Sequence, residues 1–132
     1  MDQPKPPIMF WAIAVTGLLW NLIGCWNYIV QTNPDAVAQM PKLYRLIIEN
    51  RPAWATGGFA ISVYGGAVGA ILLLLRRKVA TMVLMVSLLG TVAAFYFGVR
   101  VVGFDPATAS ALLMSIGLLW FARVSQQRGW TQ

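Results

Sequence analysis

Polar side chains that could bind or transform a ligand are few inside the long apolar stretches of this sequence. Asn21 lies near the middle of the first stretch, and Asn27 follows about two helical turns later. A carboxamide inside a membrane needs a hydrogen-bond partner, and such bonds between helices contribute roughly 0.6–2 kcal/mol. The sequence favours interhelical bonds, for example from Asn21 to Ser62 or Tyr64, and leaves ligand binding as the alternative.

Two arginines lie near the ends of apolar stretches, and each is close in sequence to a residue with which it could interact. Arg100 lies near the end of the third stretch and Asp105 follows across a turn, which favours a structural ion pair over an anion-binding site. Arg51 comes shortly before Trp54, and a guanidinium can stack on an indole ring. We therefore expect Arg100 to pair with Asp105, and Arg51 to lie on Trp54.

Groups that most catalysis requires are missing from the sequence. It contains no histidine, which excludes imidazole acid–base chemistry and histidine-ligated haem or metal. Cys25 is the single cysteine and has no accompanying base, so we expect it to be a small packing residue. No carboxylate lies in the middle of an apolar stretch, where proton-coupled transporters carry one. We predict no enzymatic activity, no cofactor and no bound metal.

The elements that must position these residues are four long apolar stretches in a chain of 132 residues. They cover residues 8–30, 54–75, 79–102 and 107–122. About 20 apolar residues in an α-helix cross a hydrocarbon core of about 30 Å. The predicted fold class is an all-α membrane protein, a single four-helix transmembrane bundle over residues 1–132. We expect its polar tail, from residue 124 onward, to be partly disordered.

The longest loop, residues 31–52, contains signals for two short helices. Asn33 or Thr32 can cap a helix that begins at Pro34, and Pro41 can begin a second helix that runs to about residue 50. The second helix has an apolar side and a charged side, formed respectively by Tyr44, Ile47 and Ile48 and by Lys42, Arg45 and Glu49. This pattern predicts either a periplasmic amphipathic helix on the membrane surface or a cap over the ends of the bundle.

A stripe of small side chains runs along the second apolar stretch. Its members recur every four positions and are Gly58, Ser62, Gly66 and Ala70. Helices in lipid associate mainly through close van der Waals contact, which small residues permit. The stripe predicts a helix-packing surface at the centre of the bundle or between copies of the chain. A ligand path along the same surface is the alternative.

The formal charge of +6 is better explained by membrane topology than by binding of nucleic acid, which we do not expect. Basic residues collect in loops that stay on the cytoplasmic side. Arg76, Arg77 and Lys78 form a compact cluster between two apolar stretches, and this cluster could also attract anionic lipid headgroups. We predict a multi-pass protein of the bacterial inner membrane with both termini in the cytoplasm.

Several segments carry a resemblance to a known family. They are Leu19-Trp20-Asn21-Leu22-Ile23-Gly24, Arg51-Pro52-Ala53-Trp54-Ala55, Gly65-Gly66-Ala67-Val68-Gly69 and Leu72-Leu73-Leu74-Leu75-Arg76-Arg77. In these segments the chain resembles small bacterial four-helix inner-membrane proteins, which are mostly uncharacterised and sometimes labelled sugar transporter. The resemblance implies a location in the inner membrane. It implies no catalytic or binding residues.

Two functional hypotheses follow. The first is a non-enzymatic accessory subunit of a larger membrane complex, or a packing protein that assembles with copies of itself. It fits the small-residue stripe and the scarcity of polar groups inside the apolar stretches. The alternative is an oligomeric channel or facilitator for a small neutral solute, with Asn21, Ser62, Tyr64 and Arg100 along its path. The expected partners are membrane lipids and other membrane-protein subunits or further copies of the chain.

Overall fold

The computed structural model describes residues 5–104 and 106–131, and these residues form six α-helices and no strand. The helices are α1 (Ile8–Val30), α2 (Pro34–Ala38), α3 (Lys42–Asn50), α4 (Ala53–Leu74), α5 (Val79–Val102) and α6 (Pro106–Gln127). Helices α1, α4, α5 and α6 are long and apolar enough to cross a bilayer. The all-helical class is confirmed, and the four long helices indicate a multi-pass membrane protein.

Prolines and residues with positive φ mark the helix ends. Pro7 and Pro52 stand immediately before α1 and α4, and Pro34 begins α2, where the Asn33 side chain accepts a bond from the Asp35 N–H at 3.0 Å. Helix α4 ends in a Schellman motif centred on Arg76, whose φ is 58°. In this motif the N–H groups of residues 76 and 77 bond back to the carbonyls of residues 73 and 72, each at 2.9 Å.

The long helices pack in the order α1, α4, α5, α6, so that α4 and α5 form the centre. The closest approach of α4 to α5 lies at Gly58 and Gly90, where a Cβ on either glycine would press on the carbonyl oxygen of the other. Small residues allow this contact between backbones. Helices α1 and α6 flank the central pair and meet each other over a short length.

The bundle has two distinct ends. The basic end holds the Arg76–Lys78 loop, the start of α1 and the end of α6, and the α3 end lies opposite. A hydrophobic core fills the basic end, and its buried members are Phe10, Ala14, Leu73, Ala80, Leu84, Leu118, Phe121 and Ala122. Leu118 of α6 lies against Gly17 of α1, and the rings of Phe10 and Phe121 are 5.7 Å apart. The core therefore seals α1 against α6 at this end.

The expectation of a partly disordered tail is wrong for residues 124–131. Helix α6 continues to Gln127, beyond the predicted end of the fourth apolar stretch. The Trp130 ring packs edge-on against Phe10 at 6.0 Å, and its carbonyl accepts a bond from Arg76 Nε at 2.8 Å. Thr131 is 2% exposed. An aromatic side chain near the end of a polar segment thus docks the segment onto the core.

Helix α3 covers the α3 end of the bundle and packs mainly against α5. Its apolar residues Tyr44, Ile47 and Ile48 face a space between the long helices. This arrangement corresponds to the predicted cap over the bundle. Arg45 differs from the expectation of a solvated side chain, because it is half-buried and its Nε has no hydrogen-bond partner among the described residues.

Candidate functional site

A cavity of about 480 Å³ lies between the four long helices, beneath α3. Its volume falls within the range of about 300–1,000 Å³ that is typical of small-molecule sites. Apolar side chains form most of its wall. Each of the four long helices contributes to it, through Ile23 of α1, Phe59 and Val63 of α4, Phe97 of α5 and Met114 of α6. Sites for small molecules combine such a wall with a few convergent polar groups. The polar groups here lie in two places, one deep and one at the α3 end.

Helices α1 and α6 meet over a short length only, and Leu118 lies against Gly17 where they meet. Leu118 belongs both to the cavity wall and to the core, and so does Leu84 of α5. Both side chains are nearly fully buried, at 3% and 2% exposed. The inner end of the cavity therefore lies against buried side chains of the core. A second space of about 450 Å³ between α1 and α6 shares Met114 and Leu118 with the cavity and extends toward the basic end. Toward the α3 end, half-exposed residues such as Trp20 and Ile23 of α1 border it.

The deep polar group is a cluster of hydroxyls that connects α4, α5 and α6. Ser62 Oγ and Thr91 Oγ1 are 2.6 Å apart, and Ser87 Oγ donates to the Ser62 carbonyl at 2.7 Å. Thr91 Oγ1 also lies 2.9 Å from the Ser87 carbonyl and 3.4 Å from Ser115 Oγ. All four residues line the cavity. The cluster ties the three helices together and gives the cavity one polar wall.

Asn21 lies beside this wall and is 8% exposed. Its Nδ2 donates to the Gly17 carbonyl of the same helix at 2.8 Å, so the amide does not form the bond to Ser62 or Tyr64 that the sequence favoured. The carboxamide instead packs against Gly66 of α4, where a Cβ would overlap it. Asn21 thus joins α1 to α4 by close contact while its amide is bonded within α1.

The second polar group surrounds Arg51 at the α3 end. Arg51 Nη2 donates to Gln31 Oε1 at 3.0 Å and its Nε donates to Thr56 Oγ1 at 3.2 Å. The guanidinium carbon lies 5.2 Å from the centre of the Phe59 ring. Three contacts from α4 and the end of α1 therefore hold the guanidinium in place beside the cavity.

The predicted stacking of Arg51 on Trp54 is not what the structure shows. The Trp54 ring packs edge-on against Phe97 of α5 at 5.9 Å, and Arg51 uses the Phe59 ring in its place. Burial lowers the pKa of the half-buried Arg51 guanidinium, and its charge interaction with Tyr28 raises that pKa in opposition. An arginine keeps its charge in proteins, so Arg51 is a cation at the edge of an apolar space.

The other residues predicted for a solute path divide into two groups. Asn27 lines the cavity together with Asn21 and Ser62. Tyr64 and Arg100 do not line it, since the Tyr64 ring packs edge-on against Tyr28 at 5.7 Å and the exposed Arg100 donates to Tyr96 Oη at 3.2 Å. Asp105 and its predicted pair with Arg100 lie outside the described residues.

The small-residue stripe packs within the chain. Gly58 contacts Gly90 of α5, Ser62 contacts Thr91, and Gly66 contacts Asn21 of α1. The fourth member, Ala70, is 0% exposed. The stripe is therefore covered by α1 and α5, and it holds the bundle together at its centre.

The basic cluster lies at the end of the bundle away from the cavity. Arg76 bonds to the docked tail through the Trp130 carbonyl, whereas Arg77 and Lys78 are exposed. The two exposed cations are free of contact with the cavity wall. Binding of lipid headgroups by these residues stays a prediction.

Sequence reasoning missed several residues of the cavity. Ser87 and Thr91 stand four positions apart inside an otherwise apolar stretch, and that spacing places both on one helical face. This signal could have identified the hydroxyl cluster. Gln31 and Ser115 carried no comparable signal, because only the packing of α1 and α6 brings them to the cavity.

No family model, curated protein or solved structure matches the chain. The resemblance to small bacterial inner-membrane proteins therefore stays a prediction, and the cavity has to be interpreted from its own residues.

Proposed function

We propose that this chain is a non-enzymatic protein of the bacterial inner membrane that binds an amphipathic small molecule in the cavity beneath α3. The observation that carries the proposal is the cavity itself. It holds about 480 Å³, its wall is mainly apolar, and its polar groups include the hydroxyl cluster, Arg51 and the carboxamides of Asn21 and Asn27. A molecule with one apolar and one polar part matches that division.

The distribution of charge supports a placement with α3 on the periplasmic side and both termini in the cytoplasm. The basic end carries Arg76, Arg77 and Lys78. Lys5 lies shortly before the start of α1, and Arg123 and Arg128 lie at the end of α6. Positive residues in short loops are retained in the cytoplasm. In this orientation the cavity lies in the periplasmic half of the membrane.

Binding fits the geometry better than conduction by one chain. Leu84 and Leu118 belong both to the cavity wall and to the buried core, so core side chains stand between the cavity and the basic end in the described part of the chain. A facilitator for a small neutral solute is the second candidate, and the lining by Asn21, Asn27 and Ser62 favours it. That function would require the packing at Leu118 to open.

A cavity-filling substitution tests the proposal. Ala111 of α6 lines the cavity, whereas Ala109 of the same helix does not. We expect the chain purified gently from native membranes to carry a small amphiphile, detectable by native mass spectrometry. Ala111→Phe should lose that molecule and Ala109→Phe should keep it, because only the first change occupies the cavity. Equal retention by both variants would count against binding at this site.

An accessory role in a larger complex stays a prediction, and the same purification tests it. The packing stripe predicted for such assembly is covered within the chain, so a partner would have to use the outer surfaces of the long helices. A different protein present at a fixed ratio would support the accessory role. Particles that contain copies of this chain alone would support the packing-protein form of the hypothesis.

A further inference from the structure

Arg51 has donors left over after its contacts within the chain. A guanidinium carries five N–H groups, and Thr56 and Gln31 accept one each. No carboxylate among the described residues forms an ion pair with Arg51, and its remaining N–H groups are not buried. Asp35 and Glu49 belong to the neighbouring short helices, and both are exposed. Within the described residues, Arg51 is thus a fixed cation without a carboxylate partner.

This cation is in a setting that favours an anion. It is half-buried beside an apolar wall, and burial lowers its pKa because the charged form loses hydration there. Its orientation is fixed by Gln31, Thr56 and the Phe59 ring, so little rotamer freedom would be lost on binding. Helix α4 begins at Ala53, two residues after Arg51, and its positive dipole end adds to the local potential.

We propose that Arg51 binds the anionic headgroup, carboxylate or phosphate, of an amphiphile whose hydrocarbon part fills the cavity. The guanidinium fork matches the geometry of both headgroups. The apolar wall beyond it, which includes Ile23, Val63 and Met114, receives the hydrocarbon part. A free inorganic anion would gain nothing from that wall. This inference rests on the proposed function. It adds that the ligand is anionic and that Arg51 is the residue that binds its charged group.

The test uses the full chain in an uncharged maltoside detergent and the fluorescence of Trp20, which lines the cavity. The probes are a fatty acid with a brominated chain, whose bromines quench nearby tryptophan, and its uncharged methyl ester. A Trp20→Phe chain supplies the background from the other tryptophans. We expect saturable quenching of Trp20 by the acid, with affinity for the ester lower by about tenfold or more, because charge-assisted bonds are lost. Inorganic phosphate should not compete, and competition by it would overturn the requirement for a hydrocarbon part.

Three substitutions assign the effect to Arg51. Arg51→Gln should reduce affinity for the acid to that for the ester, and Arg51→Lys, which keeps the charge without the fork, should give an intermediate affinity. Arg100→Gln is the matched control, because Arg100 also lies toward the α3 end but does not line the cavity. The lysine variant keeps the test decisive should the glutamine variant fail to fold. An affinity of this variant for the acid below that of the wild-type chain would support the role of the fork, and wild-type affinity would overturn it.

The outcomes separate this inference from the proposed function. Equal affinities of the wild-type chain for acid and ester would overturn the role of Arg51 and leave the cavity as a binding site. Absence of Trp20 quenching by either probe would overturn the inference and count against the proposed function as well.

Discussion

At the scale of single residues, the contact between Gly66 and Asn21 determines how closely α1 and α4 can approach. A Cβ at Gly66 would overlap the Asn21 carboxamide, whereas a Cβ at Gly57 would meet nothing within 4 Å. Both glycines lie inside α4, where alanine is intrinsically favoured by roughly 0.5–1 kcal/mol. Comparing alanine at the two positions therefore isolates the effect of packing.

We expect Gly66→Ala to lower the free energy of unfolding by about 1–3 kcal/mol, because the carboxamide must move to admit the methyl group. Gly57→Ala should be neutral or slightly stabilising. Thermal unfolding of the purified chains in one detergent measures both. Adding Asn21→Ala to Gly66→Ala removes the overlap, so the two changes should be less than additive. A Gly66→Ala chain as stable as the Gly57→Ala chain would contradict this contact.

The sequence identified several important residues but not their partners. Asn21 and Ser62 were recognisable because polar side chains inside apolar stretches require bonds, and both line the cavity. Their partners depend on the rotation of each helix about its axis, which a single sequence leaves open. Arg51 illustrates this, since Trp54 points toward α5 and leaves the Phe59 ring to receive the guanidinium.

At the scale of elements, the docked tail closes the basic end of the bundle. Trp130 joins the tail to Phe10 of α1, and Arg76 of the α4–α5 loop bonds to its carbonyl. One residue of the tail therefore contacts two other parts of the chain. Such a link stabilises the contact of α1 with α6, which meet over a short length only.

Trp130→Ala should lower the thermal unfolding temperature by several degrees, because the apolar contact with Phe10 is lost. Trp120→Ala is the matched control, since Trp120 is also on the last segment but is 67% exposed. We expect the control to unfold within about a degree of the wild-type chain. Differential scanning fluorimetry in detergent compares them, and equal losses for the two variants would show that the tail contributes nothing specific.

Element boundaries were largely predictable, because prolines and the lengths of apolar stretches mark them directly. The clearest difference is at α6, which runs to Gln127 instead of ending near residue 122. Hydropathy indicates where a helix leaves the hydrocarbon, not where its backbone stops being helical. Residues 123–127 contain no glycine or proline, so nothing in them ends the helix.

At the scale of the whole molecule, the cavity could not be predicted from the sequence. Four apolar stretches with one small-residue stripe are compatible with a bundle that is closed along its full length. The wall of the cavity takes residues from α1, α3, α4, α5 and α6. The relative positions and rotations of these helices create the space, and a single sequence leaves both open.

Orientation in the membrane gives a prediction at the same scale. In a Cys25→Ser chain, Glu49→Cys of α3 and Lys78→Cys of the basic end introduce single thiols at exposed positions. A membrane-impermeant maleimide should label the first in intact spheroplasts and the second only after lysis, because basic loops stay in the cytoplasm. The reverse pattern of labelling would place α3 in the cytoplasm and invert the proposed topology.

The hydroxyl cluster has a consequence that appears when its protons are counted. Each hydroxyl has one proton. That of Ser87 goes to the Ser62 carbonyl, that of Thr91 can go to the Ser87 carbonyl, and that of Ser62 can then go to Thr91 Oγ1. The donors of these three hydroxyls are therefore all paired within the chain before a ligand binds. A hydrocarbon chain that lies against them and displaces water leaves none of these three donors without a partner.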